Sequence, residues 1–158
     1  LRPRRQRQMC IRDRTNADQM ISDLGWSIYP HGFYQVLTDT HQRYDKPIYI
    51  LESGMADSEM NDLRRQAFLV SHLVELWNAI EFGGADIKGY IHWSLTDNFE
   101  WAEGFSARFG LIKIDYENNF RREPRVSAGV YYKIIEENAV SSEFFEKYAK
   151  KNGSDSVL

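Results

Sequence analysis

A chain of 158 residues, 42% of them hydrophobic and 14% aromatic, carries enough apolar side chain to bury a sizeable core. Its formal net charge of −3 argues against a nucleic-acid binder, and no stretch approaches the roughly 20 apolar residues of a membrane-spanning helix. The single cysteine, Cys10, excludes an intrachain disulfide framework and fits a reducing, cytoplasmic setting.

Residues 1–14 differ from the rest: they hold six arginines (Arg2, Arg4, Arg5, Arg7, Arg12 and Arg14) against one acid, Asp13. A basic arm for RNA or DNA is one reading. The favoured one is a disordered tail, or a segment foreign to the protein, because nothing downstream is basic enough to extend such a surface. Residues 15–150 read as part of a single folded unit, and 151–158 as a frayed tail.

Beyond residue 20 helix and strand patterns alternate. Pro30 and Gly32 open a helical segment with Phe33, Val36 and Leu37 at helical spacing. Pro47 introduces the apolar run 48–51 (IYIL), which suits a parallel strand covered on both faces and ends abruptly in Glu52-Ser53-Gly54. The longest periodic segment, about 59–82, lines Leu63, Ala67, Val70, Val74 and Trp77 along one helix face, and Gly83-Gly84 stops it. A second strand spans 89–95 (GYIHWSL), followed by a loop dense in aromatics and acids (TDNFEWAEGFSARFG) and by LIKIDY. Pro124 is expected to open a last helix over about 126–138, with Val130, Ile134 and Ile135 inward. This order means an α/β fold, whose chemistry sits at the carboxyl ends of the parallel strands.

Glu52 stands at one such end, and residues 93–101 follow the other. A carboxylate directly after four apolar residues is uncommon, since a buried charge is costly without partners. By itself Glu52 could be a solvent-facing strand end or an ion-pair partner of an arginine such as Arg65. The stretch supplying Trp93, Glu100 and Trp101 favours a sugar site, because sugars are amphipathic: an indole packs on their C–H face and a carboxylate accepts from vicinal hydroxyls. Phe99 and Phe105 read instead as aromatics that cap the sheet end.

IYILESG followed by GYIHWSLTDNFEWAEGFSARFGLIKIDY, with SDLGWSIYPHG before and REPRVSAGVYY after, resembles the family 1 glycoside hydrolases, mostly β-glucosidases and β-galactosidases. The resemblance runs from about Ser22 to Asn138 and implies the C-terminal part of a (β/α)8 barrel, its seventh and eighth strands with flanking helices. It puts the family's nucleophile on Glu52, the glycone-binding tryptophan on Trp93, the hydroxyl-gripping pair on Glu100 and Trp101, and the R-F-G aromatic on Phe109. It matches Arg65 to an arginine that lies near the nucleophile and would keep that carboxylate ionised. Leu51 and Ser53 replace the family's Thr and Asn around the nucleophile, which bears on specificity more than on the reaction. His92, on the alternate face from Trp93, is expected to pack rather than react.

The implied activity is that of a retaining β-glycosidase acting on small β-glycosides or oligosaccharides, with no metal, cofactor, nucleic acid or membrane required. Such enzymes need two carboxyl groups about 5–5.5 Å apart. The family's acid/base sits in an N-E-P motif, which is absent here, and Glu123-Pro124 lies before the last helix, far from the strand ends. A full barrel takes about 250 residues, so the chain is expected to be a fragment. Alone it is expected to be inactive and poorly soluble or partly unfolded. An acid at position 100 would repel a phosphate dianion, which points to unphosphorylated glycosides. The competing reading is a non-catalytic carbohydrate-binding or structural barrel.

Overall fold

The computed structural model describes residues 20–149, so the segments 1–14 and 151–158 lie outside the described residues. Helix α1 (Pro30–Tyr44) starts on Pro30, whose missing N–H is one of the donors that a helix start leaves unbonded anyway. It ends at Asp45, which takes a left-handed conformation (φ 47°) and returns its N–H to the carbonyl of His41. Lys46 and Pro47 then extend the chain into β1 (Ile48–Ser53). Helix α2 (Leu63–Glu81) crosses back to β2 (Ile87–His92), which pairs with β1 in parallel: Ile48 opposite Ile87, Ile50 opposite Tyr90, Ser53 opposite His92. The ladder is irregular between Ile50 and Ser53, beside Glu52. Gly84, at φ 66°, makes the left-handed turn that closes α2.

Two clusters hold this layer together. Leu37 of α1, Ile50 of β1 and Ala79 of α2 pack with Ala85, backed by Phe33, Ile87 and Tyr90. Ala67, Leu69 and Val70 of α2 meet Val130 and Ile134 of α3 (Val126–Glu137), together with Phe144 and Tyr148. All of these helices lie on one side of the β1–β2 pair. The opposite side is bare: Tyr49, Leu51 and Ile91 are exposed while Ile50 and His92 are buried. No helix among the described residues is long and apolar enough to cross a membrane.

Several expectations need correction. Val36, Leu63, Trp77 and Ile135 are exposed rather than inward; the first turns of α2 are instead buried on all sides, from Arg65 to His72. The helix starts at Leu63, with the Asp62 carbonyl accepting its first bond from the Gln66 N–H at 3.0 Å; the Asp62 carboxylate does not cap it and accepts instead from Arg65, from the Ser127 N–H at 3.0 Å and from the Ser127 hydroxyl. Strand β2 ends at His92; Trp93 still donates to the Ser53 carbonyl of β1, and from Ser94 the chain bonds to the Phe109 carbonyl instead. Pro124 closes a strand and not a helix start. LIKIDY forms β3 (Ile112–Asp115), which turns through the Asp115 carboxylate into an antiparallel β4 (Arg121–Pro124).

Asp97 fastens that hairpin and the long loop to the helical layer. Its two oxygens receive the Arg125 guanidinium at 3.0 and 3.1 Å, and also the N–H groups of Gly110 (3.0 Å) and Ile114 (3.2 Å). Arg125 reaches the carbonyl of Gly110 at 2.6 Å as well. Both side chains are buried, so each is the other's main counter-charge. Removing one partner of such a pair leaves an uncompensated charge and costs about 3–5 kcal/mol. Asp97→Asn, which keeps the volume and removes the charge, should therefore lower urea stability by that order and speed proteolytic cleavage within 95–110. A change below about 1 kcal/mol with unaltered cleavage would show that the pair fastens nothing.

Two buried histidines make the helical layer pH-sensitive. His72 stacks on Phe68 at 3.9 Å, and burial pushes its pKa down to about 4, against the opposing pull of the Phe68 carbonyl. His92 is 5% exposed beside Tyr131; burial first, and the charge of Arg65 second, push it down to about 3. Both are neutral in the fold, whereas the unfolded chain takes up their protons near pH 6.5. Their contribution is therefore complete above that value and is lost as pH falls toward 4 and 3. Urea unfolding should show stability dropping by about 1.4 kcal/mol per pH unit per histidine below about pH 6, with a shallower slope in His72→Phe. An equal slope in that variant would contradict a neutral His72.

Candidate active site

The ends of β1 and β2 are tied together. The Trp93 N–H donates to the Ser53 carbonyl at 3.0 Å, and the Tyr90 hydroxyl reaches the same oxygen at 3.4 Å. Gly54 makes this approach possible, since a Cβ there would overlap the carbonyl of Trp93. Glu52, exposed at the end of β1, is thereby held next to the strand that carries Trp93.

Trp93 packs against a buried cluster of Ala56, Ala107 and Phe109, joined by Leu24. The loop between Trp93 and Phe109 is closed at its base: Ser94 donates to the Phe109 carbonyl at 3.2 Å and receives Leu111 at 2.9 Å. At its tip Glu100 and Gly104 close a tight turn, the Glu100 N–H reaching the Gly104 carbonyl at 2.7 Å. Trp101 occupies a positive φ of 44° in that turn and is thrown outward, 83% exposed. Glu100 is partly buried, and its Oε2 has no hydrogen-bond partner among the described residues.

Glu100 and Trp101 line a concavity of about 460 Å³ together with Asp23, Leu24, Trp26, Ala102 and Glu103. Glu52, Trp93 and Phe109 are not among its lining residues; Phe109 connects the two groups, packing on Trp93 and meeting the Trp26 ring at 6.0 Å. Phe109 is thus a buried support behind the tryptophans, not an exposed contact. Trp26 is the residue that sequence reading missed. Its signal was present in SDLGWSIYPHG, an indole ahead of a helix, but the ring it meets, Phe109, lies 83 positions away.

Arg65 lies in the segment that follows Glu52. It is fully buried and spends its donors on Asp62 (2.5 Å) and on the carbonyls of Asp57 (2.6 Å), Arg108 (2.5 Å) and Met55 (3.4 Å). None of these contacts is to Glu52. A guanidinium taken out of water must satisfy its donors locally, and the acceptors within reach are these. The residue holds the segment after Glu52 against the one before Phe109, so its support is positional. Neighbouring Arg64 pairs with Asp23 at 2.5 Å and Asp57 at 2.7 Å, anchoring one wall of the concavity. Among the described residues no three His, Cys, Asp or Glu side chains form a group able to hold a metal ion.

Comparison with known proteins identifies the family. The sequence pattern of glycosyl hydrolase family 1 matches residues 2–140, a match that begins inside the arginine-rich segment. The chain is 48% identical over 122 residues to a β-galactosidase of Saccharolobus solfataricus, covering 77% of this chain and 24% of that protein. It is 38% identical over 125 residues to β-glucosidase A of Thermotoga maritima, covering 74% and 28%. Among solved structures, a β-glucosidase from Pyrococcus furiosus superposes with a TM-score of 0.80 at 40% identity, covering 86% of this chain and 28% of that one. A β-glycosidase from Pyrococcus horikoshii gives 0.76 at 42% identity, covering 82% and 29%. The chain therefore spans about a quarter of the length of the curated relatives it matches. Over the region it spans, it belongs to glycosyl hydrolase family 1.

Proposed function

We propose that the chain is the C-terminal portion of the catalytic (β/α)8 barrel of a retaining β-glycosidase, with β1 and β2 as its seventh and eighth strands and residues 15–150 as one part of a single domain. Glu52 is the nucleophile. The observation that carries this reading is the hydrogen bond from the Trp93 N–H to the Ser53 carbonyl at 3.0 Å, which fixes a strand-end carboxylate beside a strand-end indole.

In the reaction, a Glu52 oxygen bonds to the anomeric carbon as the bond to the leaving oxygen breaks, and a carboxylic acid protonates that oxygen. The same group then takes a proton from water, which displaces Glu52 and releases the sugar with its configuration retained. That acid has no counterpart at the strand ends described here, and the chain alone should not turn over substrate. Trp93 and Trp101 offer flat apolar surfaces to the sugar's C–H face, and the free oxygen of Glu100 accepts from its hydroxyls. Glu100 and Glu103 make the concavity acidic, Asp23 being offset by Arg64, which disfavours a phosphorylated sugar and supports neutral β-glycosides as substrates. The relatives' names, β-galactosidase and β-glucosidase, support the same class. A single cysteine supports a cytoplasmic setting.

The full-length protein carrying this segment, treated with a slow fluorinated β-glycoside, should gain one glycosyl group on the peptide containing Glu52. Glu52→Gln should lower kcat on an aryl β-glycoside by on the order of 10³-fold or more. Glu100→Gln should reduce kcat/KM by about 10- to 100-fold, the loss of one to two charge-assisted hydrogen bonds. A glycosyl group on another residue, or no reaction with a folded full-length protein, favours the non-catalytic barrel instead.

A further inference from the structure

We propose that Arg64 is a positioning residue for the substrate: it clasps the turn 21–27 to the segment that follows Glu52, and so sets one wall of the concavity. This rests on the β-glycosidase reading above. The turn carries Leu24 and Trp26, and it is closed on itself. Ile21 bridges Ser27, the Ser22 N–H donates to the Trp26 carbonyl at 2.9 Å, and the Trp26 N–H donates to the Ser22 hydroxyl at 3.1 Å. Its floor is the stretch 56–58. The Asp23 N–H donates to the Ala56 carbonyl at 3.0 Å, and the Ser58 N–H to an Asp23 oxygen at 2.8 Å. Arg64 closes the remaining side. Its Nη2 reaches Asp23 at 2.5 Å and Asp57 at 2.7 Å, while Nη1 reaches the Ile21 carbonyl at 3.1 Å.

Two carboxylates thus converge on one guanidinium nitrogen, which separates Arg64 from a simple surface ion pair. The Asp57 side chain is 1% exposed, so water cannot replace Arg64 as its counter-charge. Acids held this close repel each other when no cation stands between them. With Arg64 present the repulsion becomes attraction. Burial alone would raise the Asp23 pKa, but the hydrogen bonds from Arg64 and Ser58 outweigh it and hold the carboxyl below its usual range. Asp23, Leu24 and Trp26 line the concavity and Arg64 does not, so any effect of Arg64 on a ligand passes through them. The facing wall, Glu100 to Glu103, belongs to the loop pinned by Asp97 and Arg125. The contact that sets Glu52 beside Trp93 runs through Ser53 and does not involve Arg64 either. Loss of the clasp should therefore displace one wall and leave the nucleophile in place. Binding should suffer, and the chemical step should not.

The test uses the full-length protein carrying this segment, with two readouts. One is turnover of an aryl β-glycoside; the other is binding of its sulfur-linked analogue, which is not hydrolysed. Arg64→Gln should raise KM and the analogue's Kd about tenfold while kcat stays within about twofold. Adding Asp23→Asn should return both to within about threefold of the parent, because the second change removes the repulsion that the first exposed. Asp23→Asn alone, which leaves Arg64 on Asp57, should cost no more than about threefold. A residue that only kept the protein folded would give losses that add, so the second substitution would deepen the first. Should Arg64→Gln fail to fold, Arg64→Lys, which keeps the charge and loses the fork, should raise the Kd about threefold; an unchanged Kd there overturns the clasp. A protein that binds the analogue but forms no glycosyl group on Glu52 counts against the catalytic reading, and the Kd series still decides the clasp. The clasp is also overturned if Arg64→Gln binds as the parent does, if kcat falls as far as KM rises, or if the double variant stays as weak as Arg64→Gln.

Discussion

The ion pair between Asp97 and Arg125 is the constraint on which the site depends. One carboxylate, with no access to water, accepts the fork of a guanidinium from the start of α3 and two backbone N–H groups from either side of the loop's return. The loop that holds Glu100 and Trp101 leaves from β2 and comes back to β3, so both its ends are pinned through this one side chain. Packing of Ala107 and Phe109 on Trp93 and of Phe99 on Phe105 orders the loop further, and a loop ordered before a ligand arrives spares binding the cost of ordering it. Arg65 does the same for the preceding segment, drawing the carbonyls of Met55, Asp57 and Arg108 onto one guanidinium. Asp62 and Ser127 link the two arrangements, since Ser127 follows Arg125 by two residues and Asp62 precedes Arg65 by three.

The fold is asymmetric across the β1–β2 sheet. The helix side of the sheet is closed and well packed, with Leu69, Val70 and Ala79 fully inaccessible. The other side shows Tyr49, Leu51 and Ile91, and among the described residues β1 and β2 pair only with each other. Burying each of those side chains is worth about 1.5–3 kcal/mol. The buried ion pairs fix where the strand ends and loop stand even before that second half of the burial is made, which lets Glu52 and Trp93 hold their relation within a quarter-length segment.

The helices and parallel strands were legible in the sequence for identifiable reasons. Pro30, Pro47 and Gly84 mark boundaries through backbone chemistry that needs no tertiary context, and IYIL could only be a strand wanting cover. Burial was less legible: Val36, Trp77 and Ile135 have the right spacing for an inner face, yet no described element lies over them. The β3–β4 hairpin went unseen because RREP has neither alternation nor β-branched residues; it is held by Asp115 and by Arg125 following it. In the candidate site, Glu52, Trp93, Glu100 and Trp101 stand out in the sequence because they sit at strand ends or in one dense stretch. Trp26 was missed, and Arg65 was assigned an electrostatic task, because both depend on pairings across 40 or more residues that local pattern does not encode.

Glu52 remains the centre of the functional reading, and its position can be seen directly. Electron density for the full-length protein, with a slow glycoside trapped on it, should show the anomeric carbon bonded to Glu52. The sugar ring should lie between Trp93 and Trp101, with a hydroxyl on the free oxygen of Glu100. A sugar bonded to another carboxylate, or one seated in the concavity with Glu52 turned away from it, would contradict the assignment.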